Sequence, residues 1–334
     1  MMDKEQPNFL FDDKQTKKIM RKAKLWSTIK IVGITILITP IIIVVLLYSL
    51  RHASINSAQE VMDDIHLFNE ISTPNVQISN QLYDYNLFGG KITTTTYKVL
   101  GEQHRPYIWQ PLNSDYSLFG KLTQNYISSP IQFEGSESLA ETSQLERFNE
   151  YTGDREMFFY HPKISYDVYK DSISELQQLE ENTLVELAIS FDTAYHFDEI
   201  KNKLPSGVQA DWWWVDAFTN DIMAFLEKDQ STIRATSPFI YGFQSEQSKP
   251  IAQRSLNNEV DSFVQHIELL RKSKNFKWET NQVYQALVGK DGKLESDDIK
   301  IIGAVVSGTP EQLMLLKDQP YIKASTFGVI SNRK

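Results

Sequence analysis

The chain has 334 residues, a formal net charge of −9 and no cysteine. The missing thiols exclude disulfides, thiolate zinc sites, iron–sulfur clusters, a Cys nucleophile and a lipidated Cys. Charge is unevenly divided, with eight Lys or Arg against four acids in residues 1–30 and 26 against 39 from residue 51 onward; the acidic majority repels phosphate, and no direct nucleic-acid role is expected of it.

The first predicted element is a cationic stub. Asp12-Asp13 precedes Lys14 to Leu25, a stretch of helical propensity. Phe9, Leu10 and Phe11 read either as a disordered fragment or membrane-surface contact or, together with Ile19 and Met20, as apolar anchors for a partner's groove. The neighbouring basic residues favour an acidic partner or anionic lipid.

Ile31 to Leu50 follows, twenty residues without a charge, fourteen of them Ile, Leu or Val. As a helix this run is about 30 Å long, the hydrocarbon thickness of a bilayer. A signal peptide has about 7–15 apolar residues and a small-residue cleavage site. Here the run continues to Leu50 and meets Arg51-His52, which predicts an uncleaved anchor. Pro40 removes one backbone donor, and Thr35 and Thr39 are expected to bond the freed carbonyls. Lys14, Lys17, Lys18, Arg21, Lys22, Lys24 and Lys30 predict a cytoplasmic N-terminus, with Trp26 and Tyr48 in the two interfacial belts. The expected layout is a cytoplasmic tail (1–30), a single transmembrane helix (31–50) and an extracytoplasmic remainder.

Beyond the span, Ile55, Ala58, Met62, Ile65 and Phe68 recur at helical intervals and predict a juxtamembrane helix over Ser54 to Glu70, ended by Thr73-Pro74. Asn75 to Ile127 reads as short strands, with Gly89-Gly90 as a turn. Helix and strands together make a β-rich region over 51–130, and the polar stretch Ser128 to Asp154 reads as a linker or surface excursion.

From 155 to 334 strands and helices alternate. Leu184 to Phe191, Phe197 to Lys203 and Trp212 to Phe218 form one strand–helix–strand unit, and Ile299 to Val306, Pro310 to Lys317 and Thr326 to Ile330 form a second. Leu256 to Arg271 and Trp278 to Leu287 are longer helices between them. The predicted fold class is α+β: a sandwich with helices on one sheet face, arranged as a duplicated split βαβ.

Catalytic constellations are not evident. The six histidines are scattered, with none three to five residues from another, and G-x-S-x-G, P-loop and G-x-G-x-x-G strings are missing. Asp291-Gly292 fits a hairpin turn better than a calcium loop. No enzyme, metal site or cofactor is therefore expected. Trp212-Trp213-Trp214, read as a strand, puts Trp212, Trp214 and Phe218 on one face and Trp213, Val215 and Ala217 on the other. Two readings stand: a core strand apolar on both faces, or an exposed contact patch of Trp212 and Trp214 beside Asp216. For Asp216 a solvated acid at the strand end is favoured.

Several strings resemble the membrane-bound anti-sigma factors of Gram-positive bacteria, built from sigma factor regulator N-terminal and C-terminal regions. They are Val185 to Asp192, Trp212 to Asp216, Tyr241-Gly242-Phe243 and Gly303 to Pro310 with Leu313, and more loosely the flanked span, Thr96-Tyr97-Lys98 and Ile108-Trp109. The resemblance implies a regulator that holds an extracytoplasmic-function sigma factor at the membrane until an envelope signal releases it, with help from a second membrane protein or membrane lipid. The zinc-containing sigma-binding domain of other anti-sigma families is missing. The rival reading is a membrane-anchored extracytoplasmic binding module or cell-envelope enzyme with no sigma-factor partner.

Overall fold

The computed structural model describes residues 13–101, 105–125, 129–131, 146–228, 239–249, 254 and 258–332. The chain divides into two compact units, Met1–Ala53 and Ser54–Lys334.

The described part of the first unit is wholly helical and belongs to α1 (Asp13–Ser72). The large apolar side chains from Ile31 through Leu47 are all exposed. Among the described residues this is the one helix long and apolar enough to cross a membrane. It runs through Pro40 without a break. The expected repair there differs in detail: the Thr35 hydroxyl donates to the Ile31 carbonyl at 2.8 Å, one turn back, rather than to the Ile36 carbonyl that Pro40 leaves free.

In the second unit α1 changes character. Ala58, Val61, Ile65, Phe68 and Ile71 are buried at three- and four-residue spacing, one stripe of a helix against a core. The juxtamembrane helix is thus part of α1 rather than separate, and it stops at Ser72 just ahead of Thr73-Pro74, where Asn75 takes φ 52°. A five-stranded antiparallel sheet packs on the stripe: β1 (Gln77–Asn86), β2 (Gly89–Leu100), β3 (Arg105–Ile108), β4 (Leu112–Ser117) and β5 (Leu122–Asn125). Strands β1 and β2 are ten and twelve residues, longer than expected. Their turn is Leu87-Phe88; Gly89 and Gly90, read as the turn from sequence, open β2 and pair with Asn86 and Tyr85. A Cβ at Gly90 would meet the Asp84 carbonyl at 2.1 Å, so close strand approach requires glycine there.

The stretch read as a linker is structured at its edges. Ile131 bridges to Met157, and β6 (Arg147–Phe148) pairs with β7 (Arg155–Glu156). Most of the remainder lies outside the described residues.

The second sheet has the order β10-β9-β11-β8-β12, from β8 (Thr183–His196), β9 (Gln209–Val215), β10 (Gly242–Gln244), β11 (Lys300–Gly308) and β12 (Ile322–Asn332). Strands β8 and β9 are both antiparallel to β11, which separates them, and α2 (Phe197–Lys203) connects them. Likewise β11 and β12 flank β8 and are joined through α6 (Pro310–Leu313). These are two interlocked split βαβ units, the ferredoxin-like arrangement. Strand β9 begins and ends three residues earlier than its sequence pattern suggests, because Pro205 and Gly207 release the chain into the sheet sooner and Asp216 ends it.

Between β9 and β11 lie α3 (Asn220–Lys228), α4 (Glu259–Leu270) and α5 (Lys277–Leu287). One sheet face packs on α2, α4, α5, α6 and the end of α1 through Phe197, Phe263, Val283, Leu313 and Phe68. The other face is also covered, contrary to a single-sided sandwich: an aromatic segment, Phe158, Phe159, Tyr160 and Tyr166, and Leu226 of α3 close it. Apart from residues 51–53, the two regions expected at 51–130 and 155–334 fall within the one unit Ser54–Lys334. Val76, Leu100 and Trp109 share a core with Leu184 and Val329, which joins the two sheets. Asp291-Gly292 is a tight turn after α5 rather than a strand hairpin, closed by Gly289 N–H donating to the Lys293 carbonyl at 2.8 Å.

Candidate functional site

The predicted partner-binding residues divide. Phe9, Leu10 and Phe11 lie outside the described residues. Ile19 and Met20 lie on α1 in the first unit and are 67% and 66% exposed. The tryptophan patch is corrected by burial: Trp212 and Trp214 lie inside the core with Phe218, and Trp213, Val215 and Ala217 lie in the core on the opposite face. The predicted alternation is right, and because both sheet faces are covered neither ring reaches solvent. Asp216 is not a freely solvated acid. It meets His161 Nε2 at 3.2 Å and Lys163 Nζ at 3.3 Å. Burial raises its pKa, and these two partners overcome that and hold it below the usual carboxylate range.

The densest buried chemistry joins the two sheets. Lys98 of β2 and Glu186 of β8 are both fully buried, with Nζ 2.6 Å from Oε2. Asn75 donates its amide to Glu186 Oε1 at 2.8 Å, and the Val329 N–H donates to Oε2 at 3.1 Å. The ammonium also sits 4.2 Å from the Trp109 ring centre, where the ring face attracts a cation. Burial lowers the Lys98 pKa, and the Glu186 charge opposes that shift. A Cβ at Gly328 would lie 2.3 Å from Glu186 Oε2, so this position has to be small for the carboxylate to reach its partners. Asp211 on β9 is a third buried ionisable group; burial raises its pKa well above the usual carboxylate value, with Ser307 and Ser248 opposing, so the neutral acid is favoured. Sealed from solvent, the group fastens two sheets and offers nothing to a substrate. Among the described residues no three His, Cys, Asp or Glu side chains are grouped to hold a metal ion.

Residues 17–104 match the sigma factor regulator N-terminal family, and residues 176–329 match the sigma factor regulator C-terminal family. The chain belongs to the sigma factor regulators. Together the matches cover more than two thirds of it and support an anti-sigma factor role. No curated protein and no solved structure matches the chain.

In this sigma factor regulator the Lys98–Glu186 pair therefore ties one family region to the other. Both residues stand in strings that carried the resemblance, yet sequence reasoning passed over them. The available signal was a charge at an inward position of a strand, Glu186 amid Leu184, Val185 and Leu187, which demands a partner. A second cluster was also missed. Glu70, near the end of α1, lies 3.4 Å from His66 Nε2, 3.2 Å from His266 Nδ1 and 3.9 Å from Lys249 Nζ. Burial raises its pKa, but the His66 hydrogen bond and the charges of Lys249 and His266 prevail and hold it at about 2. The Glu70 hydrogen bond raises the His66 pKa, whereas burial lowers that of His266. A cavity of about 320 Å³ lined by His66, Asn69, Glu70, Gln77 and Lys249 adjoins it. The i, i+4 spacing of His66 and Glu70 was legible; the approach of His266 and Lys249 from distant sequence was not.

Proposed function

We propose that this regulator holds an extracytoplasmic-function sigma factor at the membrane through its N-terminal stub, with Ser54–Lys334 outside the cell, and releases it when an envelope signal reaches the outer unit. The observation that carries the reading is where the N-terminal family match begins, at Lys17, within the cationic stub and ahead of the apolar run. Ile19 and Met20 supply exposed apolar side chains there among Lys17, Lys18, Arg21 and Lys22. A few such anchors, with Phe9, Leu10 and Phe11, suffice for a regulatory contact, because about 8 kcal/mol corresponds to a micromolar dissociation constant. A second membrane protein or anionic lipid beside the basic residues adds to it.

Deletion of residues 1–24 tests the reading in cells. Transcripts dependent on the partner sigma factor rise several-fold while the outer unit keeps its fold, and an unrelated basic tail grafted in place of the stub fails to restore repression. Unchanged transcripts after deletion, or full repression with the grafted tail, contradict it and leave a membrane-anchored binding module.

A further inference from the structure

Two turns of the second unit break the usual chemistry of turns in the same way. The β1–β2 connection reads Asn86-Leu87-Phe88-Gly89 and the β4–β5 connection reads Ser117-Leu118-Phe119-Gly120. Hairpin turns favour Asn, Asp and Gly at their central positions, and two large apolar residues at a solvent-facing tip gain nothing from water. Phe88 is 72% exposed and Phe119 is 78% exposed. The turns lie side by side, with the Leu118 N–H donating to the Phe88 carbonyl at 2.7 Å. Both are pinned to the first residues of this unit: the Ser54 hydroxyl donates to the Gly89 carbonyl at 2.8 Å, and the Ser57 hydroxyl donates to the Leu118 carbonyl. Lys274, paired with Glu60, adds a bond to the Phe119 carbonyl at 3.2 Å.

Chain length alone limits where this edge can be. Ser54 follows Leu50, the last residue of the apolar run, by four positions, so it lies within about 14 Å of it however the chain is bent. Headgroup regions add about 5–7 Å to each side of the hydrocarbon, and interfacial apolar groups bury to about 5–10 Å. We infer that the Leu87-Phe88 and Leu118-Phe119 turns form a lipid-facing wedge that inserts at the bilayer surface. The inference rests on the reading that Ile31–Leu50 crosses a membrane. Tyr83 and Tyr85, exposed along β1 above the turn, extend the same edge with side chains suited to headgroup depth.

The absence of native cysteine allows a direct test. Full-length Phe88→Cys, Phe119→Cys and Ser165→Cys proteins, each carrying one environment-sensitive fluorophore, are reconstituted into phosphatidylethanolamine–phosphatidylglycerol vesicles, with or without nitroxide lipid labelled near the headgroup. The wedge predicts blue-shifted emission at positions 88 and 119, quenched several-fold more than at 165. Water-like emission and equal quenching at all three, with the protein still resisting a carbonate wash, overturn the wedge and leave the span intact. A shift at 88 and 119 without lipid quenching overturns it in favour of a protein surface, such as a second copy. Release of the protein by carbonate refutes the spanning helix itself, and the wedge with it.

Discussion

The two units of this chain break opposite rules. The first leaves large apolar side chains exposed on every side of α1 from Ile31 through Leu47, and the second buries an ion pair, Lys98–Glu186, completely. Each makes sense only through what faces it: a uniformly apolar helix needs an apolar solvent, and a buried charge needs a partner with hydrogen bonds to its remaining atoms. Within α1 itself the difference is one of pattern. Ala58, Val61, Ile65 and Phe68 form a stripe matched to a protein core, whereas Ile31 to Leu50 has no charged residue on any face.

The largest effect comes from splitting the pair. Lys98→Met leaves the buried Glu186 carboxylate without its counter-charge and lowers the stability of the second unit by about 3–5 kcal/mol, measured by denaturant unfolding. Lys98→Met with Glu186→Leu recovers most of that loss, since replacing both charges removes the uncompensated one. A double variant as unstable as the single one argues that the hydrogen bonds from Asn75 and Val329, rather than the pair, hold the sheets together.

Next is the apolar band. Ile42→Arg places a charge mid-run and costs about 2.5–3.5 kcal/mol of membrane insertion, read as the fraction of full-length protein left in the membrane pellet. If the band lay in water, the added charge would leave fractionation unchanged and improve solubility.

Glu70→Gln is the smallest change and depends on pH. Because the folded carboxyl is held at about 2, below its ordinary value of 4.5, its contribution is fully present above about pH 4.5 and fades as pH falls toward 2. The variant should lose on the order of 2–3 kcal/mol at neutral pH and approach the parent only at about pH 2. A pH-independent loss indicates a packing role for the side chain instead.

Most of the architecture was legible because it repeats short-range patterns. The apolar run, the limits of α2, the proline-led α6 and the two faces of β9 all follow from periodicity and caps. The split βαβ pairing was also legible, since strand–helix–strand units with short connections restrict topology severely. What escaped depends on contacts between distant positions. Leu87-Phe88 displaced Gly89-Gly90 as the turn because the register of β1 with β2 and β4 draws both glycines into the sheet. The fusion of the β-rich region with the second sheet rests on Lys98 meeting Glu186, 88 positions away. The tryptophan patch failed for the same reason: alternation assigns Trp212 and Trp214 to a face, but only the aromatic segment from Met157 to Tyr166, unpatterned in sequence, decides that this face is covered.

The proposed regulation requires the stub and Ser54–Lys334 to lie on opposite sides of the membrane, and a chain without cysteine suits impermeant thiol labelling of intact cells. Ser165→Cys, exposed on the second unit, should label fully in intact cells, and Gln15→Cys, exposed on the stub, only after permeabilisation. Labelling of Gln15→Cys in intact cells, or protection of Ser165→Cys until the membrane is opened, would contradict the orientation on which the regulator's action rests.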